Sequence, residues 1–272
     1  MKTKLSLLAV LPVLMLASCG KGAEIKDQNK IDEIKTNIAN KAKDIKCYEM
    51  TFKSESTEYD DEQKKNVTTK TDMLYRTNDK GEAYMKSSGT SDGEKNESTV
   101  YLVNNEKYKQ VLYTSTYDPE TQKDEIAVYG YEGNELTFSF SALYFIIPQA
   151  YSSMFIDPTE IDFAELDEAE QSTVKYDTDV KYYSSGDENL TVEAKIKAKG
   201  EIDKAAEEYP VSYNYTIQYD KGYFKSAKIE GTSNKDNKSA IDIAFSVKDS
   251  VSIELPAGWE ELINQSSSGF DF

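Results

Sequence analysis

The 272-residue sequence contains no histidine and only one arginine, Arg76. Without imidazole, histidine-dependent catalytic triads, most catalytic zinc sites and histidine general bases are excluded. The 49 acidic residues outnumber the 32 basic ones, which argues against a nucleic-acid partner because nucleic acids are bound through Lys and Arg. We therefore expect no nucleic acid, no metal and no cofactor, and we predict no catalytic residue.

Cysteine is equally scarce, since the chain holds only Cys19 and Cys47. Two cysteines do not make a disulfide framework, so the stability of the fold must come from its core. Cys47 follows Ile45 and precedes an alternating pattern, which favours a buried small hydrophobic residue over a reactive thiol.

A long apolar run occurs at the N-terminus, where Lys2 and Lys4 precede the segment Leu5–Leu16. The run is shorter than the ~20 residues that a membrane-spanning helix needs, and it has the length of a signal-peptide core. The sequence then reads Leu16-Ala17-Ser18-Cys19, which resembles the lipobox of bacterial lipoproteins. An ordinary secretory signal with an incidental cysteine is the alternative.

The lipobox resemblance implies that Cys19 becomes the first residue of the mature chain and carries diacylglycerol on its sulfur. Two acyl chains make a stable anchor where one is marginal. We predict a lipid-anchored protein on the extracytoplasmic side of the cell membrane. The expected organisation is a lipoprotein signal peptide at 1–18, a lipidated tether at 19–28, a single β-rich domain at 29–263 and a flexible tail at 264–272.

Helical spacing of apolar residues predicts one amphipathic helix over residues 29–46. Ile31, Ile34, Ile38 and Ile45 fall on one face, and Asn29 stands where a capping residue is expected. The stripe is narrow and contains neither Trp nor Phe, which favours packing against a sheet over lying on a membrane.

From Tyr48 onward the period changes to two, which is typical of strands with one wet and one dry face. Short turns such as Asp220-Lys221-Gly222 join neighbouring strands, so we expect antiparallel pairing. The predicted strands number about eleven and start near residues 48, 67, 83, 98, 107, 125, 190, 211, 223, 241 and 251.

The middle of the chain breaks the alternation. Residues 142–147 form the most apolar run of the mature chain, and Thr159 is placed to cap a short helix that follows. We expect this central helical segment and the N-terminal helix to cover the apolar face of the sheet, because a sheet with one apolar face must bury it.

The order of these elements resembles the LolA/LolB-like superfamily, including the LppX/LprG-type lipoproteins. The resemblance implies a mainly β fold with helices (α+β), in which about eleven antiparallel strands form a curved half-barrel around the helices. It also implies a hydrophobic cavity for lipid or acyl chains. The residues predicted to line that cavity are Leu143, Tyr144, Phe145, Ile147, Met154, Phe155, Val192, Ile196, Tyr213, Tyr215, Ile243 and Phe245.

Three functional hypotheses follow. The first is a non-enzymatic lipoprotein that binds or carries a hydrophobic ligand near the membrane. The second is a surface module with a filled core, which binds a protein or glycan through its acidic faces and its 20 tyrosines. The third is a carboxylate hydrolase, for which acids such as Asp177 and Asp179 would have to converge in a cleft.

Overall fold

The computed structural model describes residues 21–60, 63–131, 158–160, 176–199, 210–233 and 237–263. Two α-helices and one 3₁₀ turn occur in this part of the chain, namely α1 (Gln28–Ala42), the turn Pro158–Glu160 and α2 (Trp259–Leu262). The strands are β1 (Ala23–Ile25), β2 (Tyr48–Asp60), β3 (Lys65–Thr77), β4 (Ala83–Ser91), β5 (Glu94–Asn104), β6 (Gln110–Asp118), β7 (Lys123–Tyr131), β8 (Tyr176–Gly186), β9 (Asn189–Ala198), β10 (Pro210–Asp220), β11 (Tyr223–Ser233) and β12 (Lys238–Val247).

The strands form one sheet in the order β1-β8-β9-β10-β11-β12-β2-β3-β4-β5-β6-β7. All neighbouring strands are antiparallel, and the sheet is open and curved. The pairing of β12 with β2 joins two meanders, with Phe245 opposite Met50. The predicted fold class, mainly β with helices around a curved antiparallel sheet, is confirmed.

Twelve strands replace the predicted eleven because of three differences. Strands β1 and β8 were not among the predicted strands, and the segment Val251–Leu255, predicted as the last strand, is irregular. Its alternation has another cause: Ile253 is buried and Leu255 packs on the outer side of the sheet.

Helix α1 lies against the sheet, as its isoleucine stripe predicts. Ile31, Ile34 and Ile38 are buried, and the helix packs against β1, β9, β11 and the 3₁₀ turn. Its N-cap is Asp27, whose carboxylate accepts a hydrogen bond from the Asn29 N–H at 3.0 Å, so the predicted cap at Asn29 is wrong by two residues. The helix ends at Ala42, short of the predicted residue 46.

Strand β1 lies inside the segment 19–28 that the sequence predicts to be a tether. Ala23 pairs with Ser184 and Ile25 with Tyr182, so the edge of the sheet begins directly after Gly22. Gly22 has a φ of +77°, and a side chain there would overlap the backbone of Ser184. Glycine is therefore needed at the point where the chain enters the sheet.

Candidate functional site

Alternation along each strand gives the sheet two different faces. We call the face that carries Met50, Phe52 and Ile217 the inner face, and the opposite one the outer face. Buried apolar side chains of the inner face form one cluster that includes Ile34 and Ile38 of α1. This cluster extends without a break over nine neighbouring strands, from β8 through β12 and β2 to β5.

Six of the predicted cavity residues lie on this inner face. Five are buried, Tyr213 is partly buried, and all six belong to or pack on the same cluster; they are Val192, Ile196, Tyr213, Tyr215, Ile243 and Phe245. The register brings Tyr213 opposite Ile196 on the neighbouring strand. These six side chains therefore share one apolar surface of the sheet.

The other predicted site residues lie outside the described part of the chain. They are Cys19, Leu143, Tyr144, Phe145, Ile147, Met154 and Phe155. The expected helical cover between residues 143 and 166 is likewise outside it, except for the 3₁₀ turn Pro158–Glu160, which contacts α1.

The sequence-based list missed the half of the inner face that β2–β5 contribute. Met50, Phe52, Met73, Tyr75 and Leu102 are all at most 6% exposed and belong to the same cluster. Their alternation was visible, but the pairing of β12 with β2 that places them beside Ile243 and Phe245 was not.

Aromatic rings concentrate where β2, β3 and β12 meet. The Tyr48 ring stacks on Phe245 with centroids 4.9 Å apart and lies 5.7 Å from the Tyr75 ring. Burial raises the pKa of both tyrosines, and for Tyr48 the nearby Tyr75 adds to the increase. The neutral hydroxyls belong to a dry region, which suits apolar contacts and not acid–base chemistry.

Helix α1 is fixed to the sheet by polar contacts at its C-terminal end. Lys41 Nζ donates to a Glu188 carboxylate oxygen at 2.8 Å and to the Lys221 carbonyl at 2.9 Å. In the middle of the helix, the Lys35 ammonium lies 5.2 Å from the Tyr182 ring centroid. These contacts connect α1 to the turns after β8 and β10.

Along β2–β5 the inner face changes from apolar to polar. Beyond the buried apolar residues, the same face carries half-buried small hydroxyl side chains, which we call the hydroxyl band: Ser54, Ser56, Thr69, Thr71, Ser87, Ser91 and Ser98. Thr69 Oγ1 lies 3.2 Å from Ser91 Oγ within it. At its end, Ser56, Glu58 and Thr69 help line a depression of about 280 Å³.

The carboxylates considered for hydrolysis do not converge. Asp177 and Asp179 are exposed on the outer side of β8, where Lys199 lies 3.0 Å from Asp177 and Lys181 lies 3.9 Å from Asp179. Among the described residues, no group of three or more His, Cys, Asp or Glu side chains is placed to hold a metal ion. Cys47 is buried, as predicted.

Neither a protein-family model nor a curated protein matches the sequence. One similar solved structure is a DUF1329 family protein from Desulfovibrio piger ATCC 29098, with 10% identity, 81% of this chain and 94% of that chain covered, and a TM-score of 0.24. Another is a putative outer membrane lipoprotein-sorting protein domain from Vibrio parahaemolyticus, with 9% identity, 79% and 92% covered, and a TM-score of 0.23.

Likenesses at these TM-scores establish neither a shared fold nor a shared function, so no family is assigned. In the part of the chain that the structure describes, no helix is both long and apolar enough to cross a bilayer.

Proposed function

We propose that this protein is a lipid-anchored, extracytoplasmic lipoprotein without enzymatic activity, whose inner face binds a lipid or another molecule with an acyl chain. The observation that carries the proposal is the width of the apolar face. Nine strands at a spacing of about 4.8 Å span roughly 40 Å. Helix α1, with 15 residues, is about 22 Å long and about 10 Å in diameter, so it does not by itself account for the burial of that whole face.

The polarity of the inner face supports an amphiphilic ligand. Its apolar half, at Met50, Phe52 and Leu102, matches an acyl chain, whose burial contributes about 0.8 kcal/mol per CH₂. The hydroxyl band follows on the same strands and supplies donors and acceptors for a polar head group. A ligand lying along the strands would thus meet apolar side chains first and hydroxyls beyond them.

Photo-crosslinking tests this binding. The mature chain carrying Cys19→Ser is purified, its co-purified lipids are identified by native mass spectrometry, and it is then labelled with a diazirine fatty acid. We expect labelled peptides from inner-face strands and competition by unlabelled fatty acid. Ile243→Ala, on the inner face, should reduce labelling, whereas Ile126→Ala, on the exposed outer face, should not. Absence of both lipid and labelling would refute the proposal.

The anchor requires a separate test, because a carrier without an anchor is conceivable. We expect the mature protein to begin at Cys19 with the added mass of diacylglycerol, and Cys19→Ala to release it from the membrane fraction. An unmodified mature mass together with unchanged membrane retention of the variant would refute lipidation and leave the crosslinking result untouched.

A further inference from the structure

The outer face carries a polar groove near the turn between β6 and β7. The C-terminal segment packs nearer to the other end of the same strands. The groove has a volume of about 430 Å³, within the range of roughly 300–1,000 Å³ that is common for ligand sites. Strands β5, β6 and β7 and the turn between β6 and β7 form its walls. Helix α2 and the preceding segment pack farther along these strands, on Val111, Tyr113 and Val128, and leave the groove open.

The charged side chains of the groove balance one another. Among the lining residues that the structure describes, Lys95 and Lys123 stand beside Glu97 and Asp124, two of each sign. An anion or a cation would meet as many like charges as opposite ones, and an apolar ligand would strip water from all four. A neutral ligand that both donates and accepts hydrogen bonds fits this arrangement best.

Ion pairs and hydrogen bonds connect several of the side chains at the groove. The Glu97 carboxylate accepts hydrogen bonds from Lys95 Nζ at 2.7 Å and from Lys86 Nζ at 2.9 Å. These hydrogen bonds lower the pKa of Glu97 to about 2. In the turn, Asp118 accepts from the Thr121 hydroxyl at 2.6 Å and from the Glu120 N–H at 2.8 Å. Side chains that are already paired lose less conformational freedom on binding than unpaired ones.

An aromatic ring completes the groove. Tyr117 lines it in the register position opposite Asp124, and the Lys95 ammonium is 5.2 Å from the Tyr117 ring centroid. Farther along the same face, three tyrosine rings of neighbouring strands lie side by side. The Tyr84 and Tyr101 centroids are 4.8 Å apart, and the Tyr101 and Tyr113 centroids are 5.7 Å apart. A flat ring offers contact to C–H groups, while the surrounding polar groups serve hydroxyls.

We propose that this groove binds a neutral oligosaccharide, with Tyr117 against a sugar ring and Glu97, Gln122 and Asp124 at its hydroxyls. Sugars combine apolar C–H faces with a dense rim of uncharged donors and acceptors, which is the chemistry that the groove offers. This site is on the outer face and is independent of the lipid-binding inner face.

Binding of maltohexaose, chitohexaose and mannohexaose to the mature chain carrying Cys19→Ser tests the proposal by calorimetry and amide chemical shifts. We expect at least one probe to bind with a Kd of about 1 mM or tighter and to shift amides of β5–β7. Tyr117→Ala should weaken that binding at least about tenfold, without loss of the thermal unfolding transition.

Tyr183→Ala is the matched control, because Tyr183 has the same kind of surroundings on another part of the sheet. The Lys21 ammonium lies 5.7 Å from the Tyr183 ring centroid and also pairs with Glu193. It should leave binding unchanged. The proposal is overturned if none of the three probes binds, if Tyr117→Ala binds as well as the parent chain, or if dextran sulfate alone binds. Fatty-acid labelling of the inner face should be the same in both variants.

Discussion

At the residue scale, Tyr48 and Tyr75 show how the core depends on protonation. Both rings are at most 4% exposed, and their centroids lie 5.7 Å apart. Ionisation of either would place a charge in the apolar cluster, so burial raises both pKa values above the ordinary 10. The protonated pair therefore stabilises the folded state.

The pH dependence of stability follows from the sign of these shifts. A pKa that is raised by folding contributes stability fully below the unfolded value, near pH 10, and that stability is lost as the pH rises towards the folded value. We expect the free energy of unfolding to fall between about pH 10 and pH 12. Absorbance at 295 nm should show tyrosines that ionise only on unfolding. Titration of all 20 tyrosines in the folded protein would contradict this expectation. Tyr48→Phe should lower the number of tyrosines that do not ionise in the folded protein.

At the element scale, the pattern of apolar residues predicted which segments form strands but not their order in the sheet. The turn Asp220-Lys221-Gly222 and the strands around it were predicted correctly, because alternation and turn chemistry are local. The pairing of Ile243 with Phe52 joins residues far apart in sequence, and no local signal encodes it. For the same reason the apolar residues that β2–β5 contribute to the inner face could not be assigned to the same surface as Val192 and Ile196.

The start of helix α1 is also an element-scale property, and it depends on a residue that the sequence pattern did not select. Asp27 satisfies a helix N–H, so Asp27→Ala should lower the free energy of unfolding by about 1 kcal/mol, within a range of about 0.5–2. Urea denaturation of the mature chain measures this. Glu33→Ala, at an exposed position inside the same helix, is the control and should change stability by less than about 0.5 kcal/mol. Equal losses in both variants would argue against a capping role.

The attachment of the C-terminal segment depends on a close approach at Gly130. A Cβ there would lie 2.5 Å from Tyr108 Cδ1 and 3.0 Å from Ile263 Cδ1. Overpacking of this kind costs about 1–3 kcal/mol, so Gly130→Ala should lower the thermal unfolding midpoint. Ile263→Ala in the same chain should recover part of the loss, because it removes one of the two clashing side chains. If the stability changes of Gly130→Ala and Ile263→Ala simply add in the double variant, Ile263 is not a source of the crowding.

At the scale of the whole molecule, the position of β1 determines which end of the sheet lies near a membrane anchor. Ala23 is four residues after Cys19, a distance of at most about 14 Å when extended. It pairs with Ser184 beside the turn between β8 and β9, and Gly222 of the turn between β10 and β11 donates to the Glu188 carbonyl at 2.7 Å. If Cys19 is lipid-anchored, as we propose, these two turns should lie at the bilayer surface.

The opposite ends of the long strands should then point away from the membrane. Strand β2 runs from Tyr48, near the anchored end, to Asp60, about 40 Å farther along the strand. The hydroxyl band lies towards this distal end, and so does the polar groove, since Tyr117 and Gln122 adjoin the turn between β6 and β7. Anchoring would thus direct the acyl end of an inner-face ligand to the bilayer and present the groove to the surroundings.

Fluorescence quenching measures this orientation directly, because Cys47 is buried and a lipidated Cys19 has no thiol. Dyes on Asp187→Cys and Gln63→Cys, both exposed turn positions, report the anchored and the distal end. In vesicles with nitroxide-labelled head groups, we expect strong quenching at residue 187 and little at residue 63, since head-group nitroxides act only at short range. Without lipidation neither dye would be quenched, and the mature mass would reveal that case. Equal quenching of both dyes in the lipidated protein would mean that the sheet lies flat on the bilayer, with the groove no longer directed outward.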